Sequence, residues 1–229
     1  MDIIKDSKEI RKNTGYIPAE INYYPEMTVA ELLAYSASFY SKDAGLRIKE
    51  LAERFEINLE RKIDGLSSGN KKKVAIVQAL IHNPRLLILD EPTSGLDPLM
   101  QHIFFEVLRE ENQRATIFLS SHVLDEVQRM CNKIAIIKQG KIIKVESIEQ
   151  LRNKQFKTVT VEFENDNEPS LIIDGIIKTE RIAKVDKILF NGDIKGLLYL
   201  LSQKDIRNVL IEEPSLDEIF MHYYEKEVK

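Results

Sequence analysis

Apolar residues recur at three- and four-residue spacing in several stretches of the first half of the chain, and this spacing predicts helices. The first stretch, MTVAELLAYSASFY, opens with Thr28 and has Glu31 three residues later, which is the pattern of a capping box. Pro98 stands at the first position of another helix, directly after Asp97 as its N-cap. The remaining helical stretches are AGLRIKELAERFEI, DGLSSGNKKKVAIVQALIHNP, DPLMQHIFFEVLREEN and HVLDEVQRMC.

Two short segments, RLLILD and ATIFLSS, are apolar on both faces, as strands buried in a parallel sheet require. They alternate with the helices, and this order predicts an α/β parallel sheet over roughly Arg85 to Ile137. The segment KIAIIKQGKIIKVE predicts a hairpin that turns at Gln139 and Gly140.

The pattern changes after SIEQLRNK. TVTVEFEND alternates strictly, with Val159, Val161 and Phe163 on one face. Further strands are predicted for DKILFNGD and RNVLIEEP, with the helix IKGLLYLLSQ between them. A last helix is predicted for PSLDEIFMHYYEK, where Ser215 and Glu218 form a second capping box. We therefore expect an α/β domain over 1–152, with a helical subdomain at about 27–83, and a small α+β module over 153–229.

Composition narrows the class of protein. The net charge of −4 provides no basic field for nucleic acid, and no apolar run approaches the ~20 residues of a membrane span. The single cysteine, Cys131, excludes a disulfide framework and favours a reducing compartment; we expect it to be a small buried apolar residue. The segment MDIIKDSKEIRK lacks the apolar core of a secretory signal. We expect a cytoplasmic protein whose membrane association is peripheral.

Three features carry candidate chemistry. Asp90 and Glu91 end the strand LLILDE, at the sheet edge where α/β proteins bind ligands; Asp90 is placed to hold Mg²⁺ and Glu91 to polarise a water. The alternative is a buried strand that ends in acids before a turn. His122 follows the strand FLSS, where an imidazole could contact a phosphate or serve the structure alone.

The third feature is LSSGNKKK. Hydroxyls and backbone N–H groups at this helix start can bind an anion, or Ser67 can be a plain N-cap. The lysine run that follows adds positive charge, and such a run is usually a solvated face. The residues of this candidate site are Ser67, Ser68, Gly69 and Asn70.

Together these motifs resemble the nucleotide-binding subunit of an ATP-binding cassette (ABC) transporter, most closely the bacterial drug and antibiotic exporters. LSSGN resembles the signature motif, LLILDE resembles Walker B, and SSH resembles the switch-histidine motif. GYIPAEINYYPEMTVAELL resembles the segment around the Q-loop. The resemblance runs from the N-terminus to about Arg152, and the tail PSLDEIFMHYY is similar to the exporters' C-terminal extension. The D-loop is represented by Ser94, Gly95, Leu96 and Asp97.

The resemblance implies ATP and Mg²⁺ as ligands, a membrane permease subunit and a second nucleotide-binding subunit as partners, and a place at the inner face of the membrane. Ser68 and Gly69 would contact the γ-phosphate of ATP held by the second subunit. Asp90 would organise Mg²⁺, while Glu91 and His122 would serve catalysis. Asp97 would couple the two sites of the dimer.

Three departures from the family pattern stand out. Ala19, followed by Glu20, replaces the Q-loop glutamine and cannot ligate Mg²⁺, and Asn70 replaces the last glutamine of the signature. Moreover, none of the nine glycines belongs to a G-x-x-x-x-G-K-[ST] loop, the Walker A motif, which in the family precedes the Q-loop. The chain thus resembles a partial P-loop NTPase without its N-terminal portion, with Met1 matching an internal methionine.

Three expectations about function follow from the absence of a Walker A motif. The first is an ATPase subunit of an exporter, completed by a separate phosphate-loop piece and not catalytic alone. The second is a non-catalytic partner that donates its signature to an intact subunit, and the third is an inactive gene remnant. A DNA-repair or translation ATPase is the runner-up outside transport. In the family the missing strand lies between TIFLSS and IAIIKQ, so we expect open strand edges, exposed apolar surface and a marginal or aggregation-prone protein.

Overall fold

The computed structural model describes residues 2–40, 43–152, 156–165, 168–215 and 218. Its contacts divide the chain into two compact units, Met1–Val123 and Leu124–Lys229. The division after Val123 differs from the boundary at 152/153 expected from the sequence, and the functional domain assignment stays a prediction.

The first unit contains five helices and a three-stranded sheet within its described residues. The helices are α1 (Ser7–Lys12), α2 (Val29–Ala37), α3 (Gly45–Arg54), α4 (Ser68–Leu80) and α5 (Pro98–Glu111). The strands are β1 (Thr14–Ile17), β2 (Leu86–Asp90) and β3 (Thr116–Ser120), all parallel, in the order β1-β2-β3. The predicted capping box at Thr28 and Glu31 is confirmed, as is the N-cap Asp97.

The sheet of the first unit has one covered and one open face. Ile17, Leu87 and Leu89 are fully buried, and Gly15 allows close approach, since a Cβ on it would collide with the backbone oxygen of Ala79 in α4. The opposite face carries three aligned apolar side chains that remain exposed to 36–63%. These three are Tyr16, Ile88 and Phe118, which we call the apolar row.

The prediction that RLLILD and ATIFLSS are buried on both faces is therefore wrong. Within the described residues β3 pairs only with β2, so it is an edge strand, and Phe118 is its most exposed apolar residue. The expected extent of the parallel sheet is also wrong at both ends. It begins at β1, which the sequence pattern did not reveal, and it does not include the strand at 133–138.

The second unit contains six strands and three short helices within its described residues. The helices are α6 (Leu124–Met130), α7 (Ile148–Arg152) and α8 (Ile194–Leu201). The strands are β4 (Lys133–Lys138), β5 (Lys141–Ser147), β6 (Lys157–Phe163), β7 (Ile176–Ile182), β8 (Val185–Phe190) and β9 (Ile206–Glu212). β4 and β5 form the predicted hairpin, and both turn residues, Gln139 and Gly140, have positive φ.

The other four strands of the second unit form an antiparallel sheet in the order β7-β8-β6-β9. The predicted inner face of β6 is confirmed, because Val159, Val161 and Phe163 are fully buried against α8 and neighbouring strands. Cys131 is only half-buried, and its burial raises the pKa of the thiol. Ser215 and Glu218 exchange the predicted capping-box hydrogen bonds, while the rest of the last predicted helix lies outside the described residues.

Candidate functional site

The two acids of LLILDE lie at the carboxyl edge of the parallel sheet. Asp90 is the last residue of β2, and its Oδ1 accepts a short hydrogen bond from the hydroxyl of Ser120, its neighbour in β3. This bond fixes the direction of the carboxylate. Mg²⁺ is commonly held by one or two carboxylates together with nucleotide phosphates, so an oriented Asp90 fits the role of its protein ligand. No cluster of three or more metal-binding side chains occurs in the described part of the chain.

Glu91 turns the chain away from β2. Its backbone has φ +45°, the left-handed region that non-glycine residues seldom adopt. Its N–H donates to the carbonyl of Ser120 at 3.1 Å, and its carbonyl accepts from the N–H of Ser94 at 3.3 Å. This conformation brings Glu91 Oε2 within 2.8 Å of His122 Nδ1. The structure therefore unites Asp90, Glu91 and His122 at one edge of the sheet.

The glutamate–histidine pair has the geometry of acid–base chemistry. A carboxylate within hydrogen-bond reach of an imidazole orients the ring and can share a proton with it. The His122 side chain is 79% exposed and Glu91 29%, so both are open to a ligand arriving from outside the sheet.

The signature residues form the start of α4. Ser67 is its N-cap, with Oγ accepting from the N–H of Asn70 at 3.3 Å, so the plain N-cap interpretation is correct for this hydroxyl. Ser67 and Ser68 are both exposed. The helix has 13 residues, and its N-terminal N–H groups favour negative charge. Capping by Ser67 leaves the exposed hydroxyl of Ser68 as the candidate contact for an anion.

The D-loop packs directly on the signature. Gly95 has φ +81°, and a Cβ on Gly69 would lie only 2.5 Å from the Gly95 carbonyl oxygen. Leu96 is buried, and Asp97 Oδ1 accepts from the N–H of Met100 at 3.0 Å as the N-cap of α5. Within one chain the two motifs therefore form a single surface around these glycines.

Lys72 is the largest departure from the sequence interpretation. It belongs to the lysine run taken as a solvated face, yet it is only 3% exposed. Its ammonium donates to the carbonyl oxygens of Pro18 at 3.1 Å, Ala19 at 3.2 Å and Glu91 at 3.2 Å. Burial lowers the pKa of Lys72, and the charges of Asp90 and Glu91 oppose that shift.

A signal for Lys72 was present in the sequence. Residues three and four positions later, Ala75 and Ile76, are apolar and buried, which places Lys72 on the inner face of α4. At the Q-loop position Ala19 and Glu20 are both exposed, and the one site contact at Ala19 is through its backbone carbonyl. Ser120 was also missed, because a serine at a strand end has no distinctive pattern.

The sequence of this chain is similar to those of known proteins. Residues 1–94 match the family model described as ABC transporter. Over 222 residues the chain is 33% identical to the ABC transporter ATP-binding protein YhaQ of Bacillus subtilis, covering 93% of this chain and 74% of YhaQ. The chain belongs to the ATP-binding subunits of ABC transporters. It is also 28% identical to the bacitracin transport ATP-binding protein BcrA of Bacillus licheniformis, over 96% of this chain and 76% of BcrA.

The fold comparison agrees with the family. A solved ATP-binding subunit of an ABC transporter superposes with a TM-score of 0.63 and 30% identity, and the match covers 66% of each chain. The α/β class with a P-loop-NTPase-like parallel sheet is thus confirmed. ATP and Mg²⁺ are the ligands of this family. In the described part of the ABC subunit, no helix is both long and apolar enough to span a membrane.

Proposed function

We propose that this chain supplies the signature, the D-loop, the Walker B acids and the switch histidine of an exporter's ATPase, and that the phosphate-binding loop comes from outside these 229 residues. The observation that carries this proposal is the cluster of Asp90, Glu91 and His122 at the edge of a sheet in which β3, among the described residues, pairs with β2 alone. The acids are oriented for Mg²⁺ and water, while no G-x-x-x-x-G-K-[ST] sequence occurs in the chain to hold the phosphates.

The open edge and face of the sheet support the same proposal. Parallel sheets are normally covered on both faces, and the apolar row leaves three large side chains in solvent. A polypeptide that adds a strand beside β3 and covers the row would bury this surface and place its phosphate loop beside Asp90. We expect the chain without that polypeptide to bind Mg·ATP weakly and to hydrolyse none.

The family supports a proposal of peripheral membrane association. ATP-binding subunits pair with a membrane permease subunit and with a second ATP-binding subunit, so we place this chain at the inner face of the cell membrane. The similarity to BcrA, named for bacitracin transport, favours an exporter.

The test compares the chain alone with a completed chain. The segment of YhaQ that precedes its match to this chain, where the family carries its phosphate loop, is fused in front of residue 2. We expect steady ATP hydrolysis by the fusion, none by the chain alone, and none by the fusion carrying Glu91→Gln. Hydrolysis by the chain alone that Glu91→Gln abolishes would show that no external loop is needed.

A second function is favoured by the exposed hydroxyl of Ser68 at the start of α4. The chain would donate its signature to ATP held by an intact subunit and would need no phosphate loop of its own. An intact YhaQ whose own signature serine is replaced by arginine serves as the reporter. Hydrolysis restored by adding this chain, and lost with Ser68→Arg, would favour this role; no restoration while the fusion is active would favour the first.

A further inference from the structure

A buried ammonium joins three functional segments in the first unit. Lys72 lies one helical turn after Ser68, on the inner face of α4. An ammonium has three N–H donors, and here three carbonyl oxygens accept from it at 3.1–3.2 Å. Its hydrogen-bonding capacity is therefore used within the chain, and Lys72 is not a phosphate ligand.

The three carbonyl oxygens belong to two strand ends. Pro18 and Ala19 directly follow β1, at the Q-loop position, and Glu91 directly follows β2. Ala19 stands where the family has glutamine, and its methyl group has no polar atom with which to connect the two segments. Lys72 makes the connection from a helix instead.

The Glu91 peptide is the segment that most needs restraint. A left-handed conformation costs a non-glycine residue roughly 1–2 kcal/mol, so the surroundings must hold it. The Lys72 ammonium and the Ser94 N–H both bind the Glu91 carbonyl, and the Ser120 carbonyl accepts from the Glu91 N–H. Rotation of this peptide would move the carboxylate away from His122.

We propose that Lys72 is a positioning residue that fixes the Glu91 peptide and the Q-loop backbone to the helix that carries the signature. The proposal rests on the proposed function. In an ABC dimer the signature of one subunit serves the ATP of the other, whereas Glu91 serves its own subunit's ATP. A single turn of α4, from Ser68 to Lys72, then links the two ATP sites mechanically.

The positioning role differs from a role in stability alone. Lys72→Met avoids the desolvation cost of a buried charge but leaves three carbonyl oxygens without this donor, so the free energy of unfolding is measured for every variant alongside the positioning readouts. It removes all three donors, however, and frees the two strand ends. Lys72→Arg keeps the charge and several donors. Lys73, next in the helix but half-buried, makes no hydrogen bond or ion pair in the described part of the chain and provides the matched control Lys73→Met.

The first experiment measures backbone hydrogen exchange in the chain by mass spectrometry. With Lys72→Met we expect exchange about tenfold faster at residues 91–96, where the N–H groups of Glu91, Ser94 and Leu96 donate backbone hydrogen bonds, and unchanged exchange in α5; tenfold is the loss expected for one charge-assisted hydrogen bond. Lys72→Arg should restore protection, and Lys73→Met should match the wild type. Wild-type exchange at residues 91–96 in Lys72→Met, or equal loss in Lys73→Met, would overturn the proposal. If Lys72→Met loses its far-ultraviolet circular dichroism, Lys72→Gln, which cannot reach all three carbonyls, replaces it in the same comparison.

The second experiment measures ATP hydrolysis by the fusion that carries a phosphate loop. Because Lys72 does not touch nucleotide, we expect kcat to fall about tenfold or more while KM for Mg·ATP changes less than about twofold. Lys72→Arg should recover kcat. An unchanged kcat, or a change confined to KM, would overturn the positioning role. An inactive fusion that retains Lys72 would instead refute the proposed function, and the exchange experiment would still decide whether Lys72 holds the Glu91 segment.

Discussion

Glu111 holds the first unit together more strongly than its neighbour Glu110. Glu111 is 1% exposed, and its Oε1 lies 2.7 Å from Arg47 of α3 and 2.6 Å from Arg114. Arg114 also donates to Asn83 in the connection between α4 and β2, at 2.7 Å. One carboxylate thus ties two helices and a loop through charge-assisted hydrogen bonds. We predict that Glu111→Gln markedly lowers the free energy of unfolding.

The magnitude follows from burial. Removing one partner of a buried ion pair costs about 3–5 kcal/mol, because the remaining charge is left without compensation. Arg47 is well covered, with its side chain 17% exposed, but it keeps Glu50 as a second partner at 2.7 Å, and Arg114 is 47% exposed and can turn towards water. Solvent screening reduces the contribution of the Arg114 ion pair, so we expect Glu111→Gln to lower the free energy of unfolding by about 3 kcal/mol, the lower end of this range.

Glu110→Gln is the matched control. Glu110 forms two hydrogen bonds to Arg54, at 2.6 and 2.8 Å, and this partner lowers the pKa of its carboxyl group. The Glu110 side chain is 55% exposed, however, and exposed ion pairs contribute about 0.2–1 kcal/mol. The two substitutions make the same chemical change at adjacent positions of one helix, so their difference isolates the effect of burial.

The assay must report on the first unit. The chain has no tryptophan, so hydrogen exchange of the α5 amides provides the local measurement, alongside urea denaturation followed by circular dichroism. We expect the slowest α5 amides to exchange roughly 100-fold faster in Glu111→Gln and only a few-fold faster in Glu110→Gln. Two variants within about 0.5 kcal/mol of each other would refute the idea that burial makes this carboxylate important.

Three further predictions concern other parts of the first unit. Burial lowers the pKa of His82, so its neutral form favours folding: stability should be full above about pH 6.5 and fall as the pH drops towards the lowered pKa. His82→Phe keeps a ring to stack on Tyr40, and it should reduce the difference between the urea midpoints measured at pH 5 and pH 8. An unchanged difference would exclude His82 as the source of the loss of stability in acid. Gly69→Ala should push the D-loop away from the signature and speed exchange around Gly95, and wild-type exchange there would contradict the close packing. Asp97→Ala should lower the free energy of unfolding, measured in urea, by about 1 kcal/mol because the N-cap of α5 is lost. Asp97→Ser, which can still cap, should keep most of that free energy. An equal loss in both variants would show that capping is not the cause.

Much of the fold was predictable because its signals are local. Capping residues such as Thr28 and Asp97 act within one turn, and the alternation at Val159 and Val161 follows from strand geometry alone. β1 was missed because four residues with a glycine inside, TGYI, make too short a pattern. Its existence depends on pairing with β2, which is a tertiary contact.

The candidate site was predictable at its acids and hydroxyls, whose chemistry is distinctive. Its geometry was not. The left-handed φ of Glu91 arises where two strand ends meet α4, a tertiary contact that the local sequence does not predict, whereas the inner-face position of Lys72 follows from its spacing to Ala75 and Ile76. The exposure of Phe118 could not be predicted either, because an edge strand differs from a central strand only in what lies beside it, which is a tertiary contact.

The left-handed backbone at Glu91 also sets the direction in which selection for stability alone would change this position. Glycine adopts φ +45° freely, so a change of Glu91 to glycine would relieve the strain while removing the acid. Stability and chemistry therefore oppose each other at this one codon, which a single base change separates from a glycine codon. In chains that must still fold but no longer hydrolyse ATP, glycine should therefore be favoured at position 91.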